Sequence, residues 1–365
     1  MIGPRHRREP LTSKEVDATV HKLSRRGFAG GFAGLTALAA AAGLGLRGVS
    51  PSQAAANALG IVPEDLPAKT LRAAFSEIGF ACSWCVRGAD TAKFFGDLLG
   101  VEVTVYDGQL SADKQRQDIE DIAGKEWDFV AIHPLAINQY VDPVTEMISK
   151  GIPVIDMDTK LADDLDSLGI VTFLEPDNIY MGETMAKALF DAIGGEGEVI
   201  HTQGALTHTG AQGRAQGFQN VLASYPGIQV VDEQPADWDI NKTASIWQDL
   251  LSRFPDVKGG YFHNDDMALA AYSIIEGAGK TEQIKVVGID GMQPAAEAVR
   301  DGKLVGSVIN PTGRIHGGAM WAGYLSATQS DKHQGGIPKF IRTDGGPITK
   351  ENAEGFIWLG DNLLI

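Results

Sequence analysis

Polar and aromatic side chains follow the apolar stretches of this 365-residue sequence at recurring points along the chain. Strands of a parallel sheet end in loops where ligands bind, so side chains at those points are the first candidates for chemistry. The principal candidates are Trp84, Asp158, Arg214, Trp238, Asn264, Asp290 and Asn310, and four further candidates in the same loops are Phe80, Cys82, Thr159 and His208.

The candidates combine rings, carboxylates, amides and one guanidinium, with no strong excess of either charge. Because a hydroxyl both donates and accepts hydrogen bonds, this mixture suits a neutral molecule that carries many hydroxyls. The apolar C–H face of a sugar or polyol packs on aromatic rings, as Trp84 and Trp238 could provide. The residues therefore predict a polyhydroxylated ligand and argue against a phosphate or a strongly ionic one.

The same residues also allow purely structural roles. The two tryptophans could pack in a core, and Asp158 and Asp290 could cap the helices that follow them. Arg214 could form a surface ion pair, and Asn264 could shape a turn. Their common position in polar loops after strands favours ligand contact, which is compatible with capping. Asp265 and Asp266 are better explained as charges at a helix N-terminus than as ligand contacts.

Cys82 and Cys85 are the only cysteines and form a C-x-x-C pair. Three arrangements are open at this point: a disulfide that stiffens the loop, two free thiols beside the ligand, or a redox or metal site. Of these, the disulfide is the expected one if the chain is exported. No histidine lies close to the pair in the sequence, so a zinc site is poorly supported and no metal is expected.

The formal net charge of −16 argues against several function classes. An acidic surface repels nucleic-acid phosphates and anionic lipids, so no nucleic-acid partner is expected. The chain also shows no Ser-His-Asp set, no H-E-x-x-H and no G-x-x-x-x-G-K-[ST] motif. We therefore expect neither catalytic residues nor a cofactor.

The elements that must position these side chains alternate between strand and helix. Predicted strands at 71–75, 101–106, 129–132 and 153–157 are followed by a second set at 198–201, 229–231, 260–262 and 285–289. A further predicted strand at 306–309 precedes Asn310. Continuous apolar runs such as 129–132 are typical of buried parallel strands. Two successive α/β sets predict two lobes with parallel sheets, and a ligand would lie in the cleft between them.

The first 58 residues are predicted to be an export signal. Adjacent arginines at Arg25 and Arg26 precede a weakly apolar run at 27–46, and small residues at 54–58 suit cleavage. The run is barely long enough to span a membrane, and its glycine and alanine content makes insertion weak. The double arginine resembles the twin-arginine signal, which would deliver a soluble protein to the periplasm.

Several ordered stretches resemble the type I periplasmic binding proteins, closest to the ribose-binding group. They include Q-P-A-D-W-D at 234–239, N-D-D-M-A-L at 264–269 and V-V-G-I-D-G at 286–291, and the likeness runs from about 71 to 339. This resemblance implies two Rossmann-like α/β lobes joined by a hinge. The N-terminal lobe would comprise 66–176 plus 311–341, and the C-terminal lobe 177–310 plus 342–365.

Position by position, the resemblance implies a role for each principal candidate. Trp84 and Trp238 would stack on the ligand, Asp158 would accept its hydroxyls, and Arg214 would donate to its oxygens. The other polar contacts would come from Asn264, Asp290 and Asn310. This chain departs from the ribose-binding pattern at Thr159, where that pattern has arginine, and at Cys85, where it has phenylalanine. Ligands other than ribose, including other pentoses, hexoses and linear polyols, are equally open.

The function that the resemblance implies is that of an exported solute-binding protein, monomeric and not an enzyme. It would close around a sugar or polyol and dock on the permease of an ABC importer. A sensing protein that presents its ligand to a chemoreceptor or sensor kinase is an alternative. A periplasmic carbohydrate enzyme using Asp158 and Asp290 is another, less favoured one. A DNA-binding repressor of related fold is disfavoured because the predicted export signal occupies the place of its DNA-binding helices.

Overall fold

The structure is a computed structural model that describes residues 70–328 and 336–361. The predicted export signal and cleavage region at 1–58 lies outside the described residues. Among the residues that are described, no helix has both the length and the apolar character needed to cross a membrane.

Strands and helices alternate through most of the described chain. The strands are β1 (Leu71–Glu77), β2 (Val101–Asp107), β3 (Phe129–Ile132), β4 (Val154–Met157), β5 (Phe173–Glu175), β6 (Glu196–Gln203), β7 (Gly227–Pro235), β8 (Gly259–Phe262), β9 (Lys285–Val287), β10 (Ser307–Val308), β11 (Phe340–Arg342) and β12 (Pro347–Ile348). The helices are α1 (Ser83–Leu99), α2 (Ala112–Ala123), α3 (Val141–Ser149), α4 (Leu165–Leu168), α5 (Asn178–Ala192), α6 (Thr209–Leu222), α7 (Ile240–Arg253), α8 (Asp265–Gly277), α9 (Gln293–Arg300), α10 (Thr312–Thr328) and α11 (Ala353–Asp361).

The first sheet has six strands in the order β11-β5-β4-β3-β1-β2, and all its pairs are parallel. Every residue of β3 and β4 is buried, so both faces of the sheet are covered, as expected for parallel strands. On one side, Ile119 and Ile122 of α2 pack with Val130 and Val154 in a hydrophobic core. This burial explains why the two strands are continuous apolar runs in the sequence.

The second sheet has four parallel strands in the order β7-β6-β8-β9. Its core contains Phe190 of α5 and Phe218 of α6, whose ring centroids lie 5.4 Å apart. The two helices approach closely at Gly182, where an added Cβ would lie 2.4 Å from the carbonyl oxygen of Arg214. A glycine at this point therefore sets how α6 is held against α5.

The chain passes at three places between the first sheet and the part of the fold that contains the second sheet and a two-stranded sheet of β10 and β12. After β5 it enters α5, which packs on β8 and β9, and after β10 it enters α10, which packs on β3, β4 and β5. After β11, which pairs with β5, it reaches β12, which pairs antiparallel with β10. The strand ends of both sheets consequently meet in one region.

The predicted α/β class with parallel sheets is confirmed. Most strand boundaries differ by one or two residues from the predicted ones, and the largest difference is at β7, which extends over Gly227–Pro235. Three short strands, β5, β11 and β12, were not predicted. A run of two or three residues is too short to show a strand period, so sequence patterning does not reveal such strands.

Candidate functional site

A small cavity lies among the loops that follow strands of both sheets. The residues that line it are Ile78, Cys82, Trp84, His133, Asp158, His208, Arg214, Trp238, Asn264, Asp290 and Asn310.

All seven principal candidates line this cavity, together with Cys82 and His208. Two further candidates do not, and the structure corrects their placement. Phe80 is 38% exposed and borders a separate surface groove with Val86 and Ile240. Thr159 is buried, but its hydroxyl donates to the carbonyl oxygen of Pro134 at 2.7 Å and is therefore already satisfied.

The two cavity tryptophans differ in what their N–H groups do. Trp84 donates its Nε1–H to the carbonyl oxygen of Asn310 at 2.9 Å, which fixes the ring. The Nε1–H of Trp238 is buried without a partner among the described residues. The ring of Trp238 lies against His208, and Cζ of the Arg214 guanidinium lies 5.7 Å from the centroid of the Trp238 ring. Since buried donors are rarely left unpaired, Trp238 offers a hydrogen bond to a ligand.

Three cavity residues have a left-handed backbone conformation that side chains rarely adopt. The φ angles are 61° for Asp158, 65° for Trp238 and 123° for Asp290. Each such conformation costs on the order of 1–3 kcal/mol and persists only where the surroundings enforce it. Its recurrence around one cavity is typical of a functional site.

The Trp238 ring packs directly on Gly204, which follows β6. A Cβ added at Gly204 would lie 2.1 Å from Cζ2 of that ring. We expect Gly204→Ala to push the ring into the cavity, destabilising the protein by about 1–3 kcal/mol and weakening ligand binding. Urea unfolding and titration calorimetry measure the two effects. Gly346→Ala, where an added Cβ meets nothing within 4 Å, is the matched control, and equal behaviour of the two variants would contradict this packing argument.

Arg214 is the central cation of the C-terminal side of the cavity. Its Nε–H donates to Oδ1 of Asn178 at 3.1 Å, and Nη1 donates to the carbonyl oxygen of His263. Nη1 also lies 3.2 Å from Oδ1 of Asp290. The guanidinium is thus held by α5 and by the loops after β8 and β9, with its flat face toward Trp238.

A chain of buried polar groups holds Asp158 on the other side. One of its oxygens accepts Nδ2–H of Asn310 at 2.8 Å, and the other lies 3.4 Å from Nε2 of His133. Nδ1 of His133 lies 3.1 Å from Glu77, whose second oxygen lies 2.7 Å from Nε2 of His316. Asp158 therefore presents an oriented carboxylate to the cavity.

The charges of this network are set by opposing effects. Burial alone would lower the pKa of His133, but hydrogen bonds to Asp158 and Glu77 raise it to about 10. Burial would raise the pKa of Asp158, yet the hydrogen bond and charge of His133 hold it well below its usual range. Burial raises the pKa of Asp290 to about 7, because Arg214 only partly offsets it. At neutral pH the cavity thus contains cations and carboxylates in near balance.

His208 and Asn264 also cap helices. Oδ1 of Asn264 accepts the N–H of Met267 at 2.9 Å at the start of α8, so its amide nitrogen remains for a ligand. His208 caps α6 through a long contact of 3.4 Å to the N–H of Ala211. Burial and the neighbouring charge of His133 lower the pKa of His208 to about 3, so it is neutral at pH 7.

Comparison with known proteins places this arrangement in a family. The periplasmic binding protein domain matches residues 81–330, which is more than half of the chain. The chain belongs to the periplasmic binding protein family.

Three known proteins illustrate the likeness. The D-allose-binding periplasmic protein of Escherichia coli (strain K12) is 32% identical over 218 residues, 58% of this chain and 70% of that protein. The xylitol-binding protein of Mycolicibacterium smegmatis is 26% identical over 327 residues, 88% and 86% of the two chains. A solved ABC transporter solute-binding protein from Mycobacterium smegmatis with bound glycerol is 28% identical, with a TM-score of 0.71 and coverage of 79% and 96%.

Within this periplasmic binding protein, Cys82 and Cys85 are both buried free thiols. The expected disulfide is therefore corrected, and the alternative of two free thiols is the one present. Burial, a hydrogen bond with Cys82 and nearby negative charges raise the pKa of Cys85 well above its usual value. Disulfide formation needs a thiolate, so a thiol held protonated in this environment reacts poorly.

Part of the site of this periplasmic binding protein was not identified from the sequence. His133 follows β3, and neither it nor Glu77 nor Asn178 is among the candidates from the sequence. Glu77 ends β1, at the same carboxyl edge as the other candidates, so the strand-end rule could have found it. This chain has Thr159 where the ribose-binding pattern has arginine, and here the cation beside Asp158 is His133.

Proposed function

We propose that the chain is an exported solute-binding protein of an ABC importer and binds a sugar or polyol in the cavity. The observation that carries the proposal is a small cavity with two buried groups of opposite kind that have no hydrogen-bond partner among the described residues. These are the Nε1–H donor of Trp238 and the Oδ1 acceptor of Asn310. A hydroxylated ligand would satisfy both, because each hydroxyl can donate and accept.

The electrostatics of the cavity favour a neutral ligand of this class. Arg214 faces Asp290 and His133 faces Asp158, so each cation is already matched by a carboxylate. An ionic ligand would leave one of these buried charges without its partner, which is costly. Hydroxyls can bridge such pairs without upsetting the balance, while the ring of Trp238 covers C–H groups. The proposed contacts are Trp84, Asp158, Arg214, Trp238, Asn264, Asp290 and Asn310, with His208 and Cys82 beside them.

The proposed mechanism is closure of two lobes around the ligand. We assign 66–176 plus 311–341 to the N-terminal lobe and 177–310 plus 342–365 to the C-terminal lobe. In support, Trp84 and Asp158 follow strands of the first sheet, while Arg214 and Trp238 follow strands of the second. A ligand that contacts both sets shifts an open–closed equilibrium toward the closed form.

A direct contact between the two lobes should influence that equilibrium. The backbone N–H and the hydroxyl of Ser83 both donate to the carboxylate of Asp266, each at 2.8 Å. Neither residue is among those lining the cavity. We expect Asp266→Asn to weaken ligand binding about 10-fold, because the closed form loses about 1–1.5 kcal/mol. Titration calorimetry measures the change.

Asp249→Asn is the control for this contact, because Asp249 pairs with Arg253 at the surface of α7. Binding should be unaffected in that variant. If Asp266→Asn binds the ligand as tightly as the wild type, the contact does not contribute to closure.

Export, location and partners complete the proposal. The arginine pair at Arg25 and Arg26 and the small residues at 54–58 support a twin-arginine signal with cleavage in that region. The mature protein would act in the periplasm as a monomer and deliver its ligand to a membrane permease. Since the family consists of binding proteins, we propose that the ligand is released unchanged rather than converted.

A thermal-shift screen against pentoses, hexoses and C4–C6 polyols tests the proposed function. A ligand present at 100 to 1,000 times its dissociation constant stabilises the folded state by about 2.7–4.1 kcal/mol, which raises the unfolding midpoint. Recovery of that ligand unchanged after incubation supports binding without turnover. If none of these compounds raises the midpoint, the proposed ligand class is wrong.

A further inference from the structure

Three buried side chains bring potential metal ligands together in the cavity wall. One potential ligand atom from each of His133, Asp158 and His208 lies within 4.8 Å of the other two. The three side chains come from the loops after β3, β4 and β6, and each is nearly inaccessible to solvent. Buried histidines and a carboxylate at such spacing are the groups from which proteins build sites for transition metals.

We propose that His133, Asp158 and His208 form a binding site for a divalent transition metal of the zinc type. In a tetrahedral zinc site with bonds of about 2.0–2.1 Å, neighbouring ligand atoms lie about 3.3–3.4 Å apart. The Nε2 atoms of His133 and His208 are 3.4 Å apart, and Nε2 of His133 is 3.4 Å from Oδ2 of Asp158. Two of the three distances between the ligand atoms therefore already match a tetrahedral site. A donor set of two imidazoles and one carboxylate favours Zn²⁺ over Mg²⁺ or Ca²⁺.

Supporting contacts orient two of the three ligands as metal sites require. Glu77 holds Nδ1 of His133 at 3.1 Å, which aims Nε2 at the proposed ion. Nδ2 of Asn310 donates to Oδ1 of Asp158 at 2.8 Å, which leaves Oδ2 for the ion. On His208, metal binding at Nε2 places the ring proton on Nδ1. This gives up only the long 3.4 Å contact with the N–H of Ala211.

The charge of the surroundings also favours a cation at this point. The ion takes the place of the proton between His133 and Asp158, and the carboxylates of Asp158 and Glu77 balance its charge. A second possible group, formed by Glu77, Cys85 and His133, shares His133 with the proposed site, and a Cys85→Ser variant distinguishes the two.

The proposed ion would exclude a polyhydroxylated ligand from the cavity. It takes the Asp158 oxygen and the His208 nitrogen that would otherwise face that ligand, since both residues line the cavity. The ion site does not depend on the proposed function, because its ligands and geometry stand without any sugar. Metal binding and sugar binding can therefore succeed or fail separately.

Titration of the full chain with ZnCl₂ tests the proposal, using protein purified without a histidine tag and treated with a chelator. We expect one Zn²⁺ per chain. In His208→Gln and Asp158→Asn the affinity for Zn²⁺ should fall by at least about 100-fold. Removing a residue that only supports a metal ligand typically lowers affinity about 10- to 100-fold, and removing a ligand itself should cost at least the upper end of that range. Glu233→Gln is the control, since Glu233 lies beside another buried histidine, His201, and does not line the cavity.

A second measurement uses the absorption spectrum of Co²⁺ bound to the wild-type chain. Tetrahedral Co²⁺ absorbs visible light much more strongly than octahedral Co²⁺, so CoCl₂ added to the wild-type chain should give the intense tetrahedral spectrum.

Two results would overturn the proposal: a weak octahedral Co²⁺ spectrum, or Zn²⁺ binding that persists in His208→Gln. Loss of Zn²⁺ binding in Cys85→Ser with retention in His208→Gln would also overturn it and assign the ion to the thiols.

Discussion

Replacement of Trp238 by alanine is expected to raise the dissociation constant of the proposed ligand at least about 100-fold, equivalent to about 2.7 kcal/mol. The change removes the ring that covers one side of the cavity and the buried Nε1–H, which has no partner in the part of the chain that the structure describes. It also leaves the Arg214 guanidinium without the ring beneath it. Titration calorimetry with the ligand found in the thermal-shift screen measures the effect.

Two further variants separate the contributions of Trp238. Trp238→Phe keeps a ring but removes the N–H, so its affinity should lie between those of the wild type and the alanine variant. Trp358→Ala removes a tryptophan that is 40% exposed on α11 and should leave binding unchanged. If Trp238→Ala binds as the wild type does, the cavity is not the ligand site and the proposed function loses its main support.

The strand-end rule explains why so much of the cavity could be predicted from the sequence. Asp158, Asn264 and Asp290 stand within three residues of a strand end, and the chemistry of the loop is visible in the residue types. Parallel strands read as apolar runs, so their ends are marked even when their exact bounds differ. Most of the residues that line the cavity were therefore found without any knowledge of distances.

The network behind the cavity could not be predicted in the same way. His316 lies in α10, 239 positions after Glu77, and their contact depends on how α10 packs on the first sheet. Thr159 was misplaced for a related reason, since its hydroxyl turns back to Pro134 and only the three-dimensional path of the loop shows it. Sequence patterns identify which residues reach a sheet edge, whereas the direction of each side chain follows from packing.

The free-thiol state of Cys82 and Cys85 also could not be predicted from the sequence. Their spacing permits a disulfide, and an oxidising compartment would favour one. Both thiols are buried, and burial, the contact with Cys82 and the nearby carboxylates of Glu77 and Asp158 together raise the pKa of Cys85. Spacing alone therefore does not determine the redox state, because the reactivity of a thiol depends on the charges packed around it.

Loss of the Glu77 carboxylate is expected to have the largest effect on stability. Glu77→Ala should lower the free energy of unfolding by about 3–5 kcal/mol, because it leaves His133 and His316 buried without their shared carboxylate. Glu77→Gln keeps the shape and should cost less. Urea unfolding at several pH values measures both. Glu120→Gln, which removes one partner of an exposed ion pair with Arg116, should cost less than about 0.5–1 kcal/mol.

The pH dependence distinguishes a charged network from simple packing. The pKa of His133 is raised to about 10 in the folded state, so its stabilisation is fully present below its unfolded pKa of about 6.5. That stabilisation is lost as the pH rises through about 10. The pKa of Glu77 is lowered, so its contribution is present above about 4.5 and lost at lower pH.

The stability difference between the wild type and Glu77→Gln should therefore be largest between about pH 5 and 6.5 and shrink toward about pH 10. A cavity or packing defect would give a difference that does not change with pH, because no proton is gained or lost. A constant difference would mean that His133 and Glu77 are not an ion pair in the folded protein. The charge balance from which we infer a neutral ligand would then have to be revised, since it depends on His133 being the cation beside Asp158.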